Sequence, residues 1–218
     1  MRDRVSNDVN LPNAITTLRV LLAPVVTVLL FESSPSVRLV AFAVFLVAAL
    51  SDLVDGALAR RRGEITDFGK LVDPLADKLL LVATLIPFYL LTLRVPDLGR
   101  LPLFGGIGLW ILGVFFGREL LITWLRTAAA RRGIVVPAST LGKRKALAQN
   151  IFIGSMILWI AYRTAVLEEG WTGTLNRLWA GLHGWFTTIS LIVALMLTVV
   201  SLAVYLATFR RVLGGNVD

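Results

Sequence analysis

"VRLVAFAVFLVAALSDLVDGALARRR", residues 37–62, begins as an apolar run fit to enter a bilayer. It ends in two aspartates three residues apart, a glycine, an alanine and then arginines. A second stretch, "GKLVDPLADK" at 69–78, sets Gly69, Asp73 and Asp77 four apart before another apolar run. Charge at membrane depth costs about 2.5–3.5 kcal/mol per group on insertion scales. Four carboxylates at the mouths of two consecutive apolar segments therefore require a compensating partner.

The surrounding chain has the composition of a membrane protein. Of its 218 residues, 56% are hydrophobic and 17% charged, and mean hydropathy is +0.78. A soluble domain is less apolar than that. A spanning helix needs roughly 20 apolar residues, and such segments lie at about 14–31, 37–59, 72–93, 103–125, 145–167 and 180–208. The expected fold is all-α and integral to the membrane, with six transmembrane helices in a single domain over 1–218. The N-terminal "MRDRVSNDVNLPNAITTLRV" lacks the layout of a signal peptide, so the first helix is expected to be retained.

Net charge is +8, and its distribution sets an orientation. Arg2 and Arg4 precede the first helix; Arg60, Arg61, Arg62 and Lys70 lie between the second and third. Arg126, Arg131, Arg132, Lys143, Arg144 and Lys145 lie between the fourth and fifth, and Arg210 and Arg211 follow the sixth. The positive-inside rule then puts both termini and both basic loops in the cytoplasm. Because these residues flank apolar spans, nucleic acid is not the expected partner. There is no cysteine and one histidine, His183, which excludes thiolate sites and a histidine metal cluster.

Residues three or four apart share a helical face. Asp52, Asp55, Gly56 and Ala59 form one stripe, and Gly69, Asp73, Ala76 and Asp77 another, with Pro74 tolerable in a first turn. The short link between these helices predicts antiparallel neighbours with facing stripes. Clustered carboxylates repel and push protons onto one another; hard divalent cations resolve this, and oxygen-only donors favour Mg²⁺ or Mn²⁺. Two such ions form the usual clamp for phosphoryl transfer. An isolated aspartate would simply cap a helix or pair with an arginine; two pairs beside small residues do not fit that reading.

The pattern Asp52-x-x-Asp55-Gly56-x-x-Ala59-Arg60, eight residues to Gly69, then Asp73 and Asp77, resembles the signature of the CDP-alcohol phosphatidyltransferases. The resemblance implies metal binding by Asp52, Asp55, Asp73 and Asp77, with Asp77 also serving as general base. It implies a nucleotide pocket shaped by Gly56, Ala59 and Gly69, with Arg60 on the CDP phosphates. It also implies a homodimer, and a bacterial cytoplasmic membrane with the site facing the cytoplasm. Asn13 and Thr16, three apart at the mouth of the first helix, are placed to reach the nucleotide; Asn13 is equally placed to cap that helix after Pro12.

Between the fourth and fifth helices, "GRELLITWLR" at 117–126 puts Arg118, Glu119, Ile122 and Arg126 on one broad face, and "GKRKALAQ" follows at 142–149. Arg118, Arg126, Lys143 and Lys145 suit an anionic acceptor, since arginine grips a phosphate with two hydrogen bonds. Snorkelling to anionic head groups is the plainer alternative, and it is the expected role of Arg131, Arg132 and Arg144. These motifs, with the opening "NLPNAITTLR", resemble the phosphatidylglycerophosphate-forming branch of the family. That implies CDP-diacylglycerol as donor and glycerol 3-phosphate as acceptor. The rivals are sister enzymes using inositol phosphate, serine or phosphatidylglycerol, and a divalent-cation channel or transporter. The tryptophans and His183 are expected to pack or hydrogen-bond, Gly105, Gly106 and Gly108 to form a packing face on the fourth helix, and 170–184 to be a connector.

Overall fold

In lipid every backbone N–H and C=O needs an internal partner, so apolar segments of this length fold as helices. A computed structural model describes residues 11–62, 67–131 and 140–213, with side chains over 15–51, 72, 75–131 and 141–212. The helices are α1 (Leu11–Phe31), α2 (Pro35–Arg62), α3 (Asp67–Arg94), α4 (Leu109–Ala130), α5 (Thr140–Glu169) and α6 (Thr174–Leu213). Three stretches, Leu75–Arg94, Leu141–Glu169 and Thr174–Val212, are long and apolar enough to cross a membrane. Ile15–Phe31 and Pro35–Ser51 are shorter apolar runs. Large apolar side chains such as Leu21, Val28, Leu120, Met196 and Val199 face outward, as a lipid-facing surface requires.

The helices pack as a ring. α1 contacts both α2 and α3, α2 contacts α5, α5 contacts α6, α6 contacts α4, and α4 touches α3 more lightly. The sequence had predicted α2 and α3 as direct neighbours; among the described residues α1 packs against both, and α2–α3 is not one of the substantial pairs. Part of the reason is local chemistry. Pro87 in α3 has no N–H for the carbonyl of Ala83 one turn back, and Thr27 of α1 donates to that carbonyl at 3.0 Å. A proline in one helix thereby creates a docking point for another.

At the centre, Phe45, Phe88, Phe115 and Phe152 bring one buried ring each from α2, α3, α4 and α5. Phe152 meets Phe88 edge-on and stacks on Phe115, both with centroids 6.4 Å apart. Between lipid-embedded helices such contacts act through close packing, since tails are as apolar as the side chains. Interhelical hydrogen bonds add to it, among them Ser155 with Thr187 at 2.6 Å and Lys78 to Thr123 at 2.8 Å.

Three further expectations change. Helix four starts at Leu109, so Gly105, Gly106 and Gly108 lie in the turn before it. Gly105 has φ +70°, and a Cβ on Gly106 would come within 2.3 Å of Thr92; the glycines serve the turn and a close approach. Most of 170–184 is helical, because α6 begins at Thr174. α3 begins at Asp67, which puts Pro74 beyond its first turn.

Candidate active site

Arg19, Asp77, Lys78, Glu119 and Lys145 meet at one cavity of about 110 Å³. Its walls come from five helices: Arg19 of α1, Ala48 and Ala49 of α2, Asp77 of α3, Glu119 of α4, and Lys145 and Gln149 of α5. The helical period explains each placement. On α1 the residues Thr16, Arg19, Ala23, Val26 and Leu30 are all buried, a three-then-four spacing that turns one face inward. Arg19 thus enters the protein interior, where its Nη1 donates to Asp77 Oδ1 at 2.9 Å. Its side chain is 1% exposed and that of Asp77 60%, so a buried cation holds a carboxylate that lines the cavity.

A second ionic group forms the facing wall. Arg118 Nη1 donates to Glu119 Oε1 at 2.9 Å, and Lys145 Nζ donates to the same oxygen. Arg118 also reaches Ser201 of α6 at 3.3 Å. One carboxylate therefore gathers two cations from α4 and α5. Such a group is costly to bury, and here Glu119 and Lys145 line the polar cavity itself. Of the four residues expected to bind acceptor phosphate, Lys145 alone lines the cavity; Arg118 stands behind Glu119, the Arg126 guanidinium sits 5.6 Å over the Tyr205 ring, and Lys143 is exposed.

Asp52, Asp55, Gly56, Ala59 and Arg60 lie within α2. Asp52 follows the cavity-lining Ala48 and Ala49 by a single helical turn. Gly69 and Asp73 lie within α3, Asp73 one turn before Asp77. The side chains of these seven residues and of Asn13 lie outside the described residues. Thr16 is buried on the same face of α1 as Arg19. Among the described residues no group of three or more acidic, histidine or cysteine side chains forms a metal cluster. The donor set nonetheless fits a hard cation: carboxylate oxygens only, placed by register on two helices near one polar cavity.

An apolar groove of about 350 Å³ adjoins this cavity, sharing Ala49 and Asn150 with it. Phe42, Phe45, Leu147, Ile151 and Gly154 line it. A Cβ on Gly154 would stand 3.4 Å from Phe42. His183 also lines this groove; it shares a hydrogen bond with the Ser155 carbonyl at 3.2 Å and packs edge-on to Trp159 and Trp179.

The described part of the site is thus a polar cavity between five helices, with Arg19, Asp77, Glu119 and Lys145 among the side chains that line it. The chain belongs to the CDP-alcohol phosphatidyltransferase family, whose sequence profile matches residues 9–214. It is similar to the "Probable phosphatidylglycerophosphate synthase" of Mycobacterium tuberculosis, with 39% identity over 152 residues, 68% of this chain and 66% of that one. The chain thus spans just under two thirds of that relative's length. It is also similar to the CDP-diacylglycerol–glycerol-3-phosphate 3-phosphatidyltransferases of Bacillus subtilis and Rickettsia bellii. The first is 36% identical over 161 residues, 68% of this chain and 77% of that one; the second is 33% identical over 172 residues, 71% and 88%.

Arg19 is the functional candidate that sequence reasoning missed. Its signal was present, since an arginine on the inward face of an apolar helix marks a functional position by default.

Proposed function

We propose that this protein transfers the phosphatidyl group of CDP-diacylglycerol to glycerol 3-phosphate, giving phosphatidylglycerophosphate and CMP. The observation that carries the reading is the cavity itself: Asp77 lines it together with Glu119 and Lys145, and Arg118 holds Glu119 from behind that lining. An anionic alcohol fits between them, its phosphate toward the cations and its hydroxyl toward Asp77. The names of the bacterial relatives support the same donor and acceptor.

The step is a direct displacement. The acceptor hydroxyl oxygen attacks the phosphatidyl phosphorus, the bond from that phosphorus to the bridging oxygen of CMP breaks, and Asp77 accepts the hydroxyl proton. Arg19 fixes the orientation of Asp77. Asp52, Asp55, Asp73 and Asp77 would hold two Mg²⁺ or Mn²⁺ ions, which neutralise the pyrophosphate charge. Gly56, Ala59, Gly69 and Arg60, with Asn13 and Thr16, are assigned to the CDP moiety. The apolar groove beside Ala49 offers an acyl chain of the donor a place next to the cavity.

We assign all six helices to the membrane in one domain, with both termini and the cavity at the cytoplasmic face of a bacterial membrane, and the working unit to a homodimer. The phenylalanine core beneath the cavity favours an enzyme over a cation channel, since a permeation path needs polar groups in line.

CMP release from CDP-diacylglycerol, measured with purified protein and a panel of acceptors, tests the proposal. The expected result is release with glycerol 3-phosphate, lost on chelation and restored by Mg²⁺ or Mn²⁺. Faster release with serine, inositol phosphate or phosphatidylglycerol overturns the acceptor; full activity in chelator overturns the metal site.

A further inference from the structure

We propose that Gln149 is a specificity residue that hydrogen-bonds a hydroxyl of the acceptor other than the one that reacts. This rests on the cavity being the acceptor site proposed above. The charged side chains that line it have partners within the protein: Arg19 meets Asp77, and Lys145 meets Glu119. Gln149 differs. Its side chain lines the cavity and is only 5% exposed, yet its Nε2 has no hydrogen-bond partner. Native structures leave few buried amide donors unsatisfied, and one beside an active-site cavity calls for a ligand.

The spacing indicates which part of the ligand. Lys145 and Gln149 are four residues apart on α5, so they share a face with Cβ atoms about 5–6 Å apart. A cation and a neutral amide at that separation match a short polyol phosphate, with the phosphate at Lys145 and the carbon-borne hydroxyls at Gln149. The cavity volume, about 110 Å³, suits a small polar molecule. The amide both donates and accepts hydrogen bonds, so it pairs with a hydroxyl and carries no charge to repel the phosphate. In glycerol 3-phosphate the group at that position is the secondary hydroxyl, between the phosphate and the primary hydroxyl that attacks.

The test compares glycerol 3-phosphate with 3-hydroxypropyl phosphate, which keeps the phosphate and the primary hydroxyl and lacks the secondary one. Wild-type protein is expected to prefer glycerol 3-phosphate by at least about tenfold in kcat/KM, because a site built to bond a hydroxyl rejects the analogue without it. In Gln149→Met the ratio should fall to within about twofold of unity. An unchanged ratio, even with both rates reduced, overturns the proposal, because a purely structural role affects both acceptors alike. Gln149→Asn, which keeps the amide on a shorter stem, should give an intermediate ratio and replaces the methionine variant if that one fails to fold. A wild type that does not distinguish the two acceptors overturns the assignment of Gln149. A wild type that releases CMP with neither overturns the acceptor reading as well.

Discussion

The two ends of the helical bundle both bury polar groups, but they use them in opposite ways. At the cavity end, cations meet carboxylates around an opening. At the other end, Arg38 donates to the Leu30 carbonyl at 3.2 Å and to Thr164, Tyr162 donates to Asn176, and Arg163 donates to the Asp97 carbonyl at 3.0 Å. Arg38 in particular takes up a carbonyl of the last turn of α1, which the helix cannot satisfy itself. The lesson is that burial of an arginine says little about its role. Whether its partners line an open cavity or terminate a helix says far more.

Substitutions can break this contrast or sharpen it. The largest effect is expected at Asp77: Asp77→Asn should lower CMP formation by about 10²–10⁴-fold, the range for loss of a general base, with CDP-diacylglycerol binding retained in equilibrium dialysis. Glu119→Gln should follow, with kcat/KM for glycerol 3-phosphate about 10–100-fold lower and most of the loss in KM, because two cations lose their common anchor. Steady-state kinetics at varied acceptor concentration would show a pure kcat defect if that account is wrong. At the opposite end, Arg38→Met should lower stability by about 1–3 kcal/mol through its lost hydrogen bonds. Activity per folded molecule should remain, as read by unfolding in detergent beside turnover. The smallest change belongs to Thr27→Val, which leaves the Ala83 carbonyl without its donor and should cost about 0.6–1.7 kcal/mol. Faster turnover losses in Arg38→Met than in Glu119→Gln would erase the distinction between the two ends.

Much of the cavity was legible from spacing. Asp77 and Lys145 each carry charge into an apolar run, a placement that is costly and marks a candidate site. The charge of Arg19 in an apolar helix was legible, but its pairing was not, because its partner is 58 residues away. The ring order was hidden for a related reason: the bond from Thr27 to Ala83 depends on a proline in a different helix. Helical residues in 174–184 looked like a loop because of their glycines. Gly184 instead lets α6 approach Trp159, where a Cβ would stand 3.2 Å from the ring, and close approach of this kind is what glycine supplies between membrane helices.

α6 runs for 40 residues, about 60 Å at 1.5 Å per residue. The oily slab it enters is about 30 Å thick. Submerging the whole rod would take a lean of about 60°, well past the roughly 40° that such helices reach. Part of it must therefore stand in the head groups or in water, as a mast does above a deck. Arg210 and Arg211 occupy its last turn, so that end is already dressed for the aqueous side.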